Sequence, residues 1–196
     1  MKQRDHLSDD ILDAAIEIAT LHGIARTSVG DVAQRVGISR PTLYKHFASK
    51  DAMVAAAIMR EAMEFVAQVA ASASAHDDPR AALHAGVVTA LVAARQHPLL
   101  DRILTTEPEV LLPFLVADAG PVPSLARVAI DGLLETIEPD LDPARARLLA
   151  DLLSRLLISY TISPPHDSPE VLASTICSIF FDGALAAGVL IPRESA

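Results

Sequence analysis

The side chains best suited to chemistry lie close together. Arg40, Thr42, Tyr44, Lys45 and His46 would share the outer side of one short helix. Guanidinium, hydroxyl, ammonium and imidazole groups on such a helix can reach phosphates or base edges in a DNA major groove. The same groups also decorate ordinary solvated helices, so residue type alone does not decide. The preceding residues do. Ser28 begins a short helix with Val29, Val32, Ala33 and Val36 on its apolar side, and Gly37 ends it where a tight turn needs a left-handed backbone. Ala33 is small where two helices would cross closely, and Leu43 is spaced to pack the second helix on the first. This is the logic of a helix-turn-helix.

The charge pattern agrees. The 196-residue chain has a net charge of -9, yet residues 1–60 carry 8 basic and 7 acidic residues while residues 61–196 carry 8 and 18. From Val32 to Lys50 there are four bases (Arg35, Arg40, Lys45 and Lys50) and no acid. Screening confines a field to about 10 Å, so this local patch, not the total, governs phosphate affinity. The acidic remainder discourages binding by the wrong face.

Several classes are set aside by composition. Hydrophobic residues make up 51% and aromatics 4% of the chain, and apolar residues recur at helical spacing without strand-like alternation. An all-α fold is expected. The longest run without a formal charge, Ala81 to Ala94, is too short for a spanning helix, which needs about 20 apolar residues. Met1 to Asp10 is too polar for a secretory signal, and the single Cys177 allows no internal disulfide. A cytoplasmic protein with no membrane association is expected.

Other elements must hold the motif. Asp9 to His22 reads as a helix stopped by Gly23, and Ser49 caps a long one reaching about Ala75. Arg80 to Gln96 follows, then Leu99 to Thr105, then Glu107 to Ala117 with a kink expected at Pro113. Ala119 to Pro123 is a break, and Ser124 to Ile137 is helical. Pro143 to Tyr160 and Pro169 to Leu190 close the chain, both apolar around more than half their circumference. Such helices are central in a core or shared with a partner.

The run from Thr27 to Asp51, above all Leu43-Tyr44-x-x-Phe47-x-x-Lys50, closely resembles the TetR-family DNA-binding domain. The resemblance covers roughly residues 8–55. It implies a three-helix DNA-binding domain at residues 1–50, then a helical effector-binding and dimerisation domain at residues 51–196. It implies phosphate contacts from Tyr44, Lys50 and Thr27 or Ser28. Helix N-termini and hydroxyls are good phosphate ligands, which agrees. Arg40, Thr42 and Lys45 are the candidates for base edges, with Ser39 and His46 beside them. Gly30 departs from the polar residue more usual there, weakening its helix slightly and removing a phosphate contact.

The expected function is a sequence-specific, double-stranded DNA-binding transcription regulator. It would be a homodimeric repressor on palindromic DNA, released by a small hydrophobic effector. Dimer contacts are expected from Leu149, Leu152, Leu153, Leu156, Ile176, Ile179 and Phe180 on the last two helices. Pocket candidates are Met63, Phe65, Val66, Val88, Leu91, Leu104, Phe114, Leu115 and Tyr160, although core packing is the better reading for any one of them. No catalytic residue, metal or cofactor is called for. His84, His97 and His166 lack helical pair spacing, and Asp101, Glu107 and Glu109 fit helix starts. Cys177 is either a redox sensor or, more simply, a buried inert thiol. The segment His97 to Glu109 is either a hinge or an ordinary connection. Two alternatives stand beside this reading: a helical carrier or enzyme with an apolar cavity, and a constitutive DNA-binding protein without an effector.

Overall fold

The computed structural model describes residues 2–115, 121–137 and 141–186. Its regular elements there are helical: α1 (Lys2–His22), α2 (Val29–Val36), α3 (Arg40–Tyr44), α4 (Lys50–Ser74), α5 (Pro79–Gln96), α6 (Pro98–Thr106), a 3-10 turn (Pro108–Val110), α7 (Leu112–Leu115), α8 (Pro121–Ile137), α9 (Pro143–Ile162) and α10 (Pro169–Ala186).

Short polar side chains start these helices by accepting otherwise unpaired first-turn amides. Ser28 Oγ accepts from the Asp31 N–H at 3.1 Å, Ser39 Oγ from Thr42 at 3.3 Å, Ser49 Oγ from Ala52 at 3.0 Å and Asp142 Oδ2 from Arg145 at 3.1 Å. Gly37 closes α2 in the left-handed region at φ 77°, its N–H reaching the carbonyls of Ala33 and Gln34.

Three boundaries differ from expectation. α1 begins at Lys2 rather than Asp9, because Leu7 already packs against the core and neither Gly nor Pro interrupts the run. Pro113 causes no kink, since it sits in the first turn of α7, where its missing N–H costs little. Pro121 and Pro123 open α8 instead of breaking the chain. Residues 116–117 and 119–120, and the expected end of the last helix at 187–190, lie outside the described residues.

The chain divides into two compact units. The first contains Met1–Met63 and His97–Ala117, and the second Glu64–Gln96 and Asp118–Ala196. The first therefore takes in early α4 and α6–α7 as well as the motif. One of its cores gathers Ile11, Ala14, Ala15, Val29, Val32, Ala33, Leu43 and Met53, with Phe47 packed against them. Burying each of the larger side chains stabilises the fold by about 1.5–3 kcal/mol. A second core joins Ala19, Ile24, Ile58, Leu99, Ile103 and Leu111. In the other unit Val87, Leu91, Leu153, Leu172, Ala173 and Ile176 pack together.

Cys177 lies in this second unit at 2% exposure, with Sγ 3.8 Å from the Arg80 carbonyl. Burial pushes its thiol above the usual range, partly opposed by the positive charge of Arg80. A thiol reagent at pH 8 should therefore modify Cys177 far more slowly in native protein than in urea, read as absorbance of the released chromophore. Equal rates would show that the thiol is accessible.

Candidate DNA interface

α3 is anchored from below by Leu43, which is fully buried, and by Ser39 at its start. That leaves Arg40, Tyr44 and Lys45 exposed on the other side, with Tyr44 at 51%. An exposed phenol and two exposed cations on a short helix can donate to phosphates and base edges. Thr42 is half-buried, and its hydroxyl shares a 2.9 Å hydrogen bond with that of Ser39.

Other expected contacts face elsewhere. Thr27 is 1% exposed and its hydroxyl donates to the Gly23 carbonyl at 2.9 Å, so it tightens the turn before α2 and cannot present its side chain to DNA. The Ser28 hydroxyl is occupied as the cap and donates to Asp31 Oδ2 at 2.6 Å. The His46 imidazole is held by the Ser8 hydroxyl at 2.8 Å, toward α1. Arg35, one base of the acid-free run, forks onto Glu17 of α1, with Nε to Oε2 at 3.0 Å and Nη2 to Oε1 at 2.6 Å. Both partners are largely exposed, so the pair orients α2 more than it stabilises the fold.

Gly30 has a use that its reading as a lost phosphate contact missed. A Cβ there would come within 2.9 Å of Arg40 Cζ. The guanidinium thus lies over the bare backbone of α2, and the absent methyl makes room for it.

Lys50 is half-buried, and its ammonium donates to the Ala25 carbonyl at 2.9 Å. The Ala25 N–H donates in turn to Glu107 Oε2 at 3.1 Å. Glu107 caps the end of α6. At the other end of α6, His97 Nδ1 accepts from the Leu100 N–H at 3.3 Å, and its Nε2 stands 3.0 Å from Glu61 of α4. The segment His97 to Glu109 is thus fastened at both ends within the first unit. Sequence spacing gave no sign of either fastening.

The dimer and pocket candidates are dispersed. Leu152 and Ile179 are exposed, at 52% and 66%, whereas Leu149, Leu156 and Phe180 are half-buried. Leu153 and Ile176 lie in the protomer's own core at 4% and 3%, so neither has surface left for a partner. Leu148, Ile162 and Val171 are exposed apolar residues on the same two helices that the sequence reading passed over. Leu91 is in the core of the second unit, with Val88 and Tyr160 packed on it. Leu104, Phe114 and Leu115 pack on the second core of the first unit. Met63 is exposed, and Phe65 and Val66 are half-buried. A depression of about 280 Å³ on α1 and α2 is lined by Asp10, Asp13, Ala14, Glu17, Arg35 and Val36, and is too acidic and open for an apolar ligand. Among the described residues no group of three His, Cys, Asp or Glu could hold a metal ion, and no helix is long and apolar enough to cross a membrane.

A capped helix-turn-helix with an exposed cationic second helix defines a DNA-binding regulator. Residues 11–57 match the bacterial regulatory proteins of the tetR family, and residues 78–181, more than half of the chain, match the C-terminal domain of the bacterial tetracyclin repressor. The chain belongs to the TetR family and is a DNA-binding transcription regulator. It is 28% identical over 175 residues to the regulator AlkX of Mycobacterium tuberculosis, covering 85% of this chain and 80% of that one. It is 28% identical over 155 residues to the transcriptional activator FasR of Mycolicibacterium smegmatis, covering 75% and 67%. Among solved structures it resembles the TetR-family repressor AlkX of Dietzia sp., implicated in biodegradation of n-alkanes, with a TM-score of 0.71, 24% identity and coverage of 90% and 94%.

Proposed function

We propose that the protein is a homodimeric repressor acting in the cytoplasm, by binding alone and without catalysis. It binds palindromic DNA and is released by a small hydrophobic effector. The observation that carries the DNA-binding part is the exposed set Arg40, Tyr44 and Lys45 on a helix whose opposite side is locked into the core by Leu43. Lys50 and the first-turn amides of α2 supply phosphate ligands beside it. Pairing is assigned to α9 and α10, where Leu148, Leu152, Ile162, Val171 and Ile179 expose apolar surface. Two such helices from each subunit make a four-helix interface. The abundance of aliphatic side chains and the scarcity of aromatics favour an apolar effector, as do relatives such as the Dietzia repressor implicated in n-alkane degradation. Activation is the second reading, favoured by the likeness to the activator FasR.

Selection of duplexes from a random library tests this, repeated with long-chain alkanes, alkanols and fatty acids. The expected product is an inverted repeat with half-sites about 10–10.5 base pairs apart, centre to centre. Binding should weaken on adding one of the ligands, and log K should fall by about 0.9 per neutralised phosphate for each tenfold rise in salt. Absence of duplex retention at low salt, or selection of a lone half-site, would overturn the reading. Transcription from the selected site in a purified system separates repression from activation.

A further inference from the structure

We propose that Glu107, at the end of α6, is a positioning residue for DNA binding that sets Lys50 through the backbone of Ala25. The proposal rests on the DNA-binding reading of Lys50. Glu107 lies outside the helix-turn-helix, 82 residues along the chain from Ala25. Its carboxylate nevertheless seats itself in the turn joining α1 to α2. Oε2 accepts the Ala25 N–H at 3.1 Å, and a Cβ on Gly23 would come within 2.6 Å of Oε1. Gly23 itself holds φ at 90°, a conformation that L side chains rarely adopt. The backbone geometry is what favours glycine here, and the bare Cα leaves room for this one carboxylate to lie against it.

The other polar group of Ala25 faces Lys50. The ammonium donates to the Ala25 carbonyl at 2.9 Å, which leaves two of its three protons for other acceptors. The carbonyl thus fixes the cation at the turn leading into α2, and Glu107 fixes the residue bearing that carbonyl. Ala25 is exposed, so without Glu107 its N–H turns to water and the turn loosens. Glu107 is half-buried and its own backbone is fixed, with its N–H bonded to the Ile103 carbonyl at 2.8 Å and its carbonyl accepting from Val110 at 3.0 Å. It is a rigid post from which to hold a turn.

Charge and position predict opposite signs. As a bare negative charge near phosphate ligands, Glu107 would weaken DNA binding. As a positioning group it strengthens binding. Three variants separate the two. Glu107→Gln removes the charge but keeps an oxygen that accepts the Ala25 N–H. Glu107→Asp keeps the charge but falls one methylene short. Glu107→Ala loses both. Affinity is measured for the duplex selected by the wild-type protein, with thermal melting alongside and amide hydrogen exchange of residues 23–29 in free protein. Positioning predicts that Asp and Ala each lose about fivefold in affinity and exchange faster in that segment, whereas Gln restores both. The salt slope should stay unchanged, since no phosphate ligand is removed. Affinity that rises in Gln and Ala and holds in Asp would overturn the proposal, as would unchanged exchange in Asp and Ala. If Ala fails to fold, Asp and Gln alone still separate the two, since positioning lowers affinity in Asp and leaves Gln at the wild-type level, whereas charge raises it in Gln and leaves Asp unchanged. Failure of the wild type to bind any duplex would sink the DNA reading of Lys50, while exchange would still report whether Glu107 holds the turn.

Discussion

Replacing Leu152 and Ile179 together with glutamate is expected to give a folded monomer that binds its duplex about 10²–10⁴-fold more weakly, the gain that linking two binding modules provides. Leu152 is 52% and Ile179 66% exposed in the single chain, so neither holds the protomer together. Substitutions at such surface positions usually change stability by about 0.5 kcal/mol or less. In a two-fold interface the same change places four carboxylates in apolar surroundings, where an unpaired charge costs far more than a lost methyl contact. Arg155, one turn from Leu152 on α9, is already engaged with Asp151 at 2.8 Å, and this hydrogen bond holds the Asp151 carboxyl below its usual range. Sedimentation should show the monomer, circular dichroism an unchanged helix content, and gel retardation the lost affinity. A variant that remains dimeric would move the interface off α9 and α10. Leu153 and Ile176 make poor probes, because both are core and their replacement would report on folding.

The contrast between Leu152 and Leu153 shows where sequence reading stops. Adjacent residues on a helix point about 100° apart, and α9 carries leucine at 148, 149, 152, 153, 156 and 157. Periodicity finds the helix but not its rotation, because both stripes are apolar. Packing against Val87, Leu91 and Leu172 settles it, turning Leu153 inward. The helix-turn-helix was far more legible. Its signals are local: Ser28 and Ser39 cap their own helices three residues on, Gly37 must be left-handed, and Val29, Val32, Ala33 and Val36 fall on one side of α2 with Leu43 spaced to pack on them. Local spacing fails once a side chain is directed by a distant partner. Arg35 is drawn to Glu17, 18 residues away, and His46 to Ser8, 38 residues away. Both are polar residues in a DNA-binding motif, and residue type alone assigns them outward. Thr27 sits where a hydroxyl could serve phosphate, yet it donates instead to the Gly23 carbonyl four residues back. Gly30 is the reverse case, an apparent defect in α2 that accommodates Arg40.

The second large effect concerns the face that remains after those corrections. Tyr44→Ala with Lys45→Ala should abolish retardation of the selected duplex at 0.15 M salt, a loss of about 30-fold or more if each side chain contributes about 1–3 kcal/mol. Both side chains are exposed, while α3 is held by Leu43 and its Ser39 cap, so melting temperature and dimerisation should be retained. The single variants then divide the labour. A Lys45 that contacts phosphate weakens every sequence alike when removed, and the salt slope falls by about 0.9. A Lys45 that reads a base edge leaves the slope nearly constant, and selection repeated with Lys45→Ala loses its preference at one position of each half-site. Tyr44 has no charge, so its removal lowers affinity without changing the slope. The double variant binding as well as wild type would remove α3 from the interface. The half-buried Lys50 would then have to carry binding from outside the groove, which a helix anchored on Leu43 and presenting Arg40, Tyr44 and Lys45 to solvent gives no reason to expect.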